Sequence, residues 1–349
     1  MSENHKSKSE KTPWKRICRW LCLVFFISGS LMLAWCSSSL DRLHLQVSIW
    51  SIKSYNNLTT VGKTPSADPS PSSPYFVAYP HQYHFILDEP DRCRQERPFL
   101  VLMIPVAPHN RKARDAIRNT WGKETKVLGQ VISHYFLLGR STEADGSEEQ
   151  VLQESQKHHD ILQSDFLDSY RNLTIKTMVM FEWLSNHCPN TSYAMKVDSD
   201  MFLNVHNLVS MLLKAPQHLY MTGLVALNRA VLRDHNSKWF LPFSAFPESM
   251  YPPYALGLGY VFSLDLPKKI LKASAHVKAV YIEDVYVGLC MRHLGITPTN
   301  PPNGGWFRAT IPFWQGSCYW TSVITTILES SEQLLDTWET YQTQAKSVC

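Results

Sequence analysis

The chain has 349 residues, with 34 Lys and Arg against 30 Asp and Glu, a formal net charge of +4. Hydrophobic residues make up 44%, enough for a large core, and part of the small positive excess sits at the N-terminus, so nothing supports nucleic-acid binding. There is no internal repeat, and no CxxC pair or histidine cluster suggests zinc.

In chain order, residues 1–19 read as a cytosolic tail. Trp20 to Leu40 follows, 21 residues without a charge. As a helix it is long enough to cross a ~30 Å hydrocarbon core. Lys6, Lys8, Lys11, Lys15, Arg16 and Arg19 precede it and only Asp41 and Arg42 lie close behind, so the positive-inside rule keeps the N-terminus cytosolic. The expectation is a single-pass type II anchor. A cleaved signal peptide fits less well, because the apolar stretch is long and Ala34-Trp35-Cys36 puts a large Trp where a small-x-small site belongs.

Residues 41–92 read as a lumenal stem, since GKTPSADPSPSSP opposes helix and sheet alike and offers little apolar surface. Three Asn-x-Ser/Thr sequons, at Asn57, Asn172 and Asn190, all lie on the side expected to be lumenal. Cys18, Cys22 and Cys36 are in or beside the apolar segment, leaving Cys93, Cys188, Cys290, Cys318 and Cys349 in an oxidising compartment. Two disulfides among the first four, with Cys349 left over, is the expectation. Five choices of odd residue and three pairings of the rest leave connectivity open.

Residues 93–349 are long enough for one large domain. Phe99 to Val106 reads as a buried strand, Lys112 to Trp121 as a helix, His134 to Leu138 as a strand and Thr174 to His187 as a long helix. A strand from Ser192 to Val197, a helix near His206 to Lys214, a strand from Leu219 into Val225 and a helix over Leu266 to Ser274 follow. Such alternation predicts an α/β fold with a mostly parallel central sheet and helices on both faces.

Acidic residues fall where strands hand over to loops. Asp198 and Asp200 end the run YAMKVDSD, at the strand end where open α/β sheets bind ligands, and hard oxygen donors there suit Mg²⁺ or Mn²⁺ bridging phosphates. An isolated Asp-x-Asp is more often a solvated turn or a cap. Asp284 opens a predicted helix from Val285 to His293, where free backbone N–H groups and the helix dipole favour an ionised carboxylate. Structurally, the same residue could serve only as an N-cap. Arg111, Arg114 and Arg118, spaced i, i+3 and i+7, share one helix face and could clamp a diphosphate or simply be a solvated basic face.

Gly257 and Gly259 would let main chain approach a sugar, or mark a bulge. Trp121, Trp239, Tyr251 and Tyr254 are candidates for stacking on sugar rings, with ordinary core aromatics the competing reading. Glu283 would position a backbone group or an acceptor hydroxyl.

RDAIRNTWG (Arg114 to Gly122), KVDSDMFLNV (Lys196 to Val205), KWF (Lys238 to Phe240), YPPYALGLGYVFS (Tyr251 to Ser263) and EDVYVGLCMRHLGI (Glu283 to Ile296) occur in the order seen in β-1,3-glycosyltransferases of the galactosyltransferase family, and the chain resembles that family over about 93 to 320. The resemblance implies a Golgi type II enzyme with a GT-A-like nucleotide-sugar-binding fold. Such an enzyme moves galactose from UDP-galactose, with inversion, to the 3-hydroxyl of an acceptor such as N-acetylglucosamine on a glycoprotein or glycolipid. It further implies Asp200 and Asp198 as ligands of Mn²⁺ (or Mg²⁺), Asp284 as general base, and Arg114, Arg118, Trp121, Lys196, Asp198 and Ser199 on the donor side. Trp239, Tyr254, Gly257, Gly259 and Glu283 would face the acceptor or sugar. Relatives carry a metal-binding His near the C-terminus where this chain aligns Ile327. Alternatives are therefore an N-acetylglucosaminyltransferase of the same family, or a catalytically weakened glycan- or partner-binding relative.

Overall fold

The strand that organises the domain is LVLMIP, Leu100–Pro105, whose first five residues are wholly buried. Val101 and Met103 enter one hydrophobic cluster while Leu100, Leu102 and Ile104 enter a second, so both faces of this strand are covered. That explains a continuous rather than an alternating apolar run.

In the computed structural model residues 73–141, 147–347 and 349 are described, all within the unit Ser66–Cys349. The expected tail, transmembrane helix, first part of the stem and Asn57 lie outside the described residues. No helix among the described residues is long and apolar enough to cross a membrane.

The chain begins with β1 (Phe85–Leu87), α1 (Arg92–Glu96) and β2 (Leu100–Pro105), then α2 (Arg111–Asn119), β3 (Lys126–Val127) and β4 (Gln130–Arg140). It continues through α3 (Ser147–His158), β5 (Ile161–Leu167), α4 (Leu173–His187), β6 (Tyr193–Val197), β7 (Met201–Leu203) and α5 (Val205–Leu212). Next come β8 (Met221–Ala226), β9 (Tyr254–Ser263), α6 (Leu266–Ser274) and α7 (Glu283–His293). Last are β10 (Phe307–Arg308), α8 (Tyr319–Ser322), β11 (Thr325–Ile327) and α9 (Ser331–Lys346).

The main sheet runs β1-β5-β4-β2-β6-β9-β8, with β3 beside β4. In it, neighbouring strands pair parallel only across β5, β4, β2 and β6; β1 with β5, β3 with β4, β9 with β6 and β8 with β9 pair antiparallel. The sheet is thus mixed, correcting the expectation of a mostly parallel one. Helices do cover both faces: α4, α6 and α7 bury their apolar residues with Val101, and α2, α3, α5 and α9 with Leu102. Because β9 runs against β6, with Val197 paired to Gly259, the start of β9 reaches the same sheet end as the carboxyl end of β6. A small sheet, β10-β11-β7, continues from there.

Phe85–Leu87 lies in the stretch assigned to the stem, yet it pairs with β5, and Val77 is 5% exposed. The folded domain therefore begins well before residue 93. Tyr75, Val77, Tyr79, Tyr83 and Phe85 supply the apolar surface that the Pro/Ser-rich run lacks.

Disulfides join Cys93 to Cys188 and Cys318 to Cys349, with Cα separations of 5.4 and 5.5 Å. Cys349 is paired, and among the described residues Cys290, wholly buried inside α7, is the free thiol. This reverses the expectation that Cys349 is left over. Cys93, Cys188, Cys318 and Cys349 are paired with one another, which leaves none of them for Cys290.

Candidate active site

All five residues of β6 are buried, including a lysine. A buried ammonium must be paired, and Lys196 Nζ donates to Asp198 Oδ1 at 2.7 Å, Glu283 Oε1 at 3.0 Å and the Gly257 carbonyl. Burial opposes the charge, but the Asp198 and Glu283 carboxylates overrule it and raise the Lys196 pKa. The expected donor-side lysine is thus enclosed by protein oxygens.

Asp198 remains 39% exposed at the end of β6, Ser199 is half-buried in the turn, and Asp200 is exposed. The turn is fixed from both sides, since Leu328 N donates to the Asp200 carbonyl at 2.8 Å and Trp121 Nε1 to the Met201 carbonyl at 3.0 Å. The surrounding protein, with the Asp198 carboxylate beside it, pushes the Asp200 carboxyl above its usual range. Two neighbouring carboxylates, one already sharing an oxygen with Lys196 and one in want of positive charge, fit a divalent cation. Among the described residues no group of three or more His, Cys, Asp or Glu could hold a metal.

Asp284 is the second residue of α7, which starts at Glu283, two residues earlier than the predicted Val285. Its Oδ2 accepts from Gly257 N at 2.9 Å and its Oδ1 from Val285 N at 2.8 Å. Burial raises the carboxyl pKa against these two N–H groups, leaving a fixed and more basic carboxylate.

Glu283 does not face an acceptor. It is 5% exposed and lies beneath the site, with Lys196 on one oxygen and the Tyr260 and Thr177 hydroxyls on the other, each at 3.4 Å. Desolvation pushes its carboxyl up to about 7. Its place also explains Gly257, where a Cβ would stand 2.4 Å from Glu283 Oε1. That glycine makes room for the protein's own carboxylates rather than for a sugar. At Gly259 a Cβ would meet Met195 Cε at 3.2 Å, again a protein neighbour. The bulge alternative is realised nearby, in the register shift between Gly223 and Val225 of β8 against β9.

The arginines are also turned inward. Arg114 is 1% exposed, its guanidinium held by both Glu154 oxygens at 2.7 and 2.8 Å and by the Ala107 and Pro108 carbonyls. Arg118 grips Asp160 with two bonds of 2.8 Å and Glu154 at 2.6 Å. Neither is presented to a diphosphate; they tie α2 to α3 and β5. Trp121 is fully buried and cannot stack on a sugar. Helical spacing alone had not shown which way this face points, because the carboxylates that claim it sit about 40 residues further on.

Trp239, 46% exposed, lies with Lys238 Nζ 4.6 Å over its ring, and the same Nζ is 5.6 Å from the Tyr170 ring. Tyr170, 46% exposed, has its phenol pKa raised by burial and then by Asp284, which places it on the carboxylate edge. Sequence reasoning missed Tyr170; an aromatic in the polar turn DSYRN between a strand and a long helix was the available signal. Tyr254 is largely buried, and burial with Asp284 raises its phenol to about 12. Tyr251 is buried against Phe246 and Tyr254, a core residue. Of the glycosylation candidates, Asn190 is exposed in a turn, while Asn172 is half-buried and its sequon partner Thr174 is buried, donating to the Val280 carbonyl at 2.7 Å.

Ile327 pairs with Met201 across β11 and β7, one residue beyond Asp200, in the neighbourhood the family resemblance implies.

A galactosyltransferase family model matches residues 112–302. β-1,3-Galactosyltransferase 2 of Homo sapiens is 39% identical over 301 residues, covering 84% of this chain and 70% of that protein. β-1,3-Galactosyltransferase 1 of Mus musculus is 41% identical over 262 residues, covering 74% and 78%. The matched region contains Asp198, Asp200, Gly257, Glu283 and Asp284, and the chain belongs to the galactosyltransferase family.

Proposed function

We propose that this chain is an inverting β-1,3-galactosyltransferase of the Golgi lumen with a GT-A-like fold, moving galactose from UDP-galactose to the 3-hydroxyl of an acceptor such as N-acetylglucosamine. The carrying observation is that Asp198 and Asp284 are held at one sheet end through Lys196 and Gly257, Lys196 donating to Asp198 and to the Gly257 carbonyl and Gly257 N to Asp284. Asp284 takes the proton of the acceptor hydroxyl as its oxygen bonds to the anomeric carbon. The bond from that carbon to the β-phosphate oxygen breaks, and UDP departs with the electron pair. Asp198 and Asp200 would hold Mn²⁺ or Mg²⁺, which would neutralise charge growing on the leaving diphosphate. Trp239 and Tyr170 offer ring faces, and Lys238 a cation, beside these carboxylates.

The Trp20 to Leu40 segment supports a type II anchor that places residues 41–349 in the lumen. Ile327 beside Asp200 favours one second reading, a relative with weakened catalysis. Both are tested by incubating the protein with UDP-sugars, Mn²⁺ and a β-linked N-acetylglucosamine acceptor, with product linkage read by NMR. A β-1,3-linked galactose product is expected. An N-acetylglucosamine product would move the donor assignment, and silence with every donor would favour the second reading.

A further inference from the structure

Lys196 has three N–H donors and three acceptors around it: Asp198 Oδ1, Glu283 Oε1 and the Gly257 carbonyl. No donor is left for a phosphate. The Gly257 residue is gripped on both sides of its Cα, its carbonyl by Lys196 and its N–H by Asp284 Oδ2 at 2.9 Å. An unbroken run of contacts thus leads from Asp198 through a buried lysine and the backbone of one residue, Gly257, to Asp284. Glu283, itself buried, supplies the second counter-charge and is steadied by Tyr260 and Thr177. Only glycine fits at the junction, because a Cβ at 257 would lie 2.4 Å from Glu283 Oε1 and 3.5 Å from Asp284 Oδ2.

We propose that Lys196 and Glu283 are positioning residues that fix the separation between the cation-binding Asp198 and the basic Asp284 through the backbone of Gly257. The inference rests on the function proposed above. In-line displacement requires the entering hydroxyl and the leaving diphosphate on opposite sides of one carbon, and a misplacement of about 1 Å costs about 100-fold in rate. A lysine on a strand, saturated by three buried or half-buried oxygens, holds that distance better than two carboxylates anchored separately on a turn and a helix.

The test uses the full chain in detergent and two kinds of readout. Amide hydrogen exchange at Gly257, without metal or donor, reports the grip on its backbone; kcat, KM for UDP-galactose and UDP affinity with Mn²⁺ report its consequence. Lys196→Met is expected to speed Gly257 exchange at least about tenfold and to lower kcat about 100-fold, with KM and UDP affinity within about threefold. Glu283→Gln preserves shape and is expected to change the same quantities in the same direction, by about tenfold in kcat. Adding it to Lys196→Met should cost little more, because residues acting as one unit are not additive.

Unchanged Gly257 exchange in Glu283→Gln would overturn the proposal, and that variant decides alone where Lys196→Met does not fold. A raised KM with unchanged kcat in Lys196→Met would also overturn it, making Lys196 a donor ligand. If the unaltered protein transfers no sugar at all, the proposed function fails, while the exchange measurement still tests the strut.

Discussion

Replacing Glu154 by Ala removes the shared partner of two arginines and discriminates a structural role for them from a donor-binding one. Glu154 is 1% exposed and accepts from Arg114 at 2.7 and 2.8 Å and from Arg118 at 2.6 Å. After the change Arg118 keeps both bonds to Asp160, but Arg114, 1% exposed, keeps only the Ala107 and Pro108 carbonyls. Stranding one buried charge costs about 3–5 kcal/mol. For a domain of this size each kcal/mol moves the melting temperature by about 2–4 °C, so the expected fall is on the order of 6–20 °C.

Scanning fluorimetry measures that fall, and calorimetry at 10 °C measures UDP affinity, which should persist while the fold does. An unchanged melting temperature with lost UDP affinity would refute the reasoning and return Arg114 to the donor site. The acid side follows with its sign: burial raises the Glu154 pKa, but the hydrogen bonds and charges of Arg114 and Arg118 win and lower it. Its stabilisation is therefore present above the unfolded carboxylate value of about 4.3 and is lost as pH falls through the lower folded value. Glu154→Ala should show a shallower loss of stability on acidification.

Asp284→Asn should reduce kcat by at least about 100-fold with UDP affinity retained, and retained turnover would remove Asp284 from the base role. Because burial raises this carboxyl, the acid limb of kcat should lie above pH 3.8 in the unaltered protein, activity being lost as pH falls through it; a limb at or below that value contradicts the assignment. Asp200→Ala should weaken Mn²⁺-dependent UDP binding, whereas unchanged Mn²⁺ dependence would exclude it as a ligand. Cys290 should resist alkylation in the folded protein and react once it is denatured without reductant, while Cys318 and Cys349 are recovered as one linked peptide; a free Cys349 would contradict the pairing.

Regular elements with strong apolar patterns were legible. The strand foreseen at Phe99 to Val106 is β2, the helix at Thr174 to His187 is α4, and Leu266 to Ser274 coincides with α6. What escaped lacked that pattern. β5 reads ILQSDFL, and its buried Gln163 is satisfied by the Gly139 carbonyl and Glu148, partners distant in sequence. β9 carries three glycine-or-leucine steps in ALGLG and is held between two antiparallel neighbours, which no local propensity announces. The site divides in the same way. Strand-end and helix-start logic, which is local, placed Asp198 and Asp200 after β6 and Asp284 at the start of α7, where they lie. Arg114, Lys196 and Glu283 were assigned outward to ligands because a charge in a sequence carries no sign of burial. Only tertiary partners, 40 residues away for Arg114 and 87 for Lys196, reveal that these charges are consumed inside the protein.

The position of Ile327 allows the proposed cation site to be tested by gain rather than by loss. Strand β11 runs antiparallel to β7 with Ile327 opposite Met201, and Leu328 N is bonded to the Asp200 carbonyl, so residue 327 is held next to the acidic turn by main-chain contacts that a substitution leaves in place. Ile327 is partly buried against the neighbouring apolar cluster, and His is similar in volume, so Ile327→His should fold at a modest cost in packing. A neutral imidazole there adds a borderline nitrogen donor to two hard carboxylates, a set that suits Mn²⁺ better than Mg²⁺. The half-saturating Mn²⁺ concentration for UDP binding should fall by at least about tenfold, the lower end of what a change merely adjacent to a metal produces. Mg²⁺ should respond less. An unchanged Mn²⁺ requirement with an intact melting temperature would mean that the cation does not sit between Asp200 and β11.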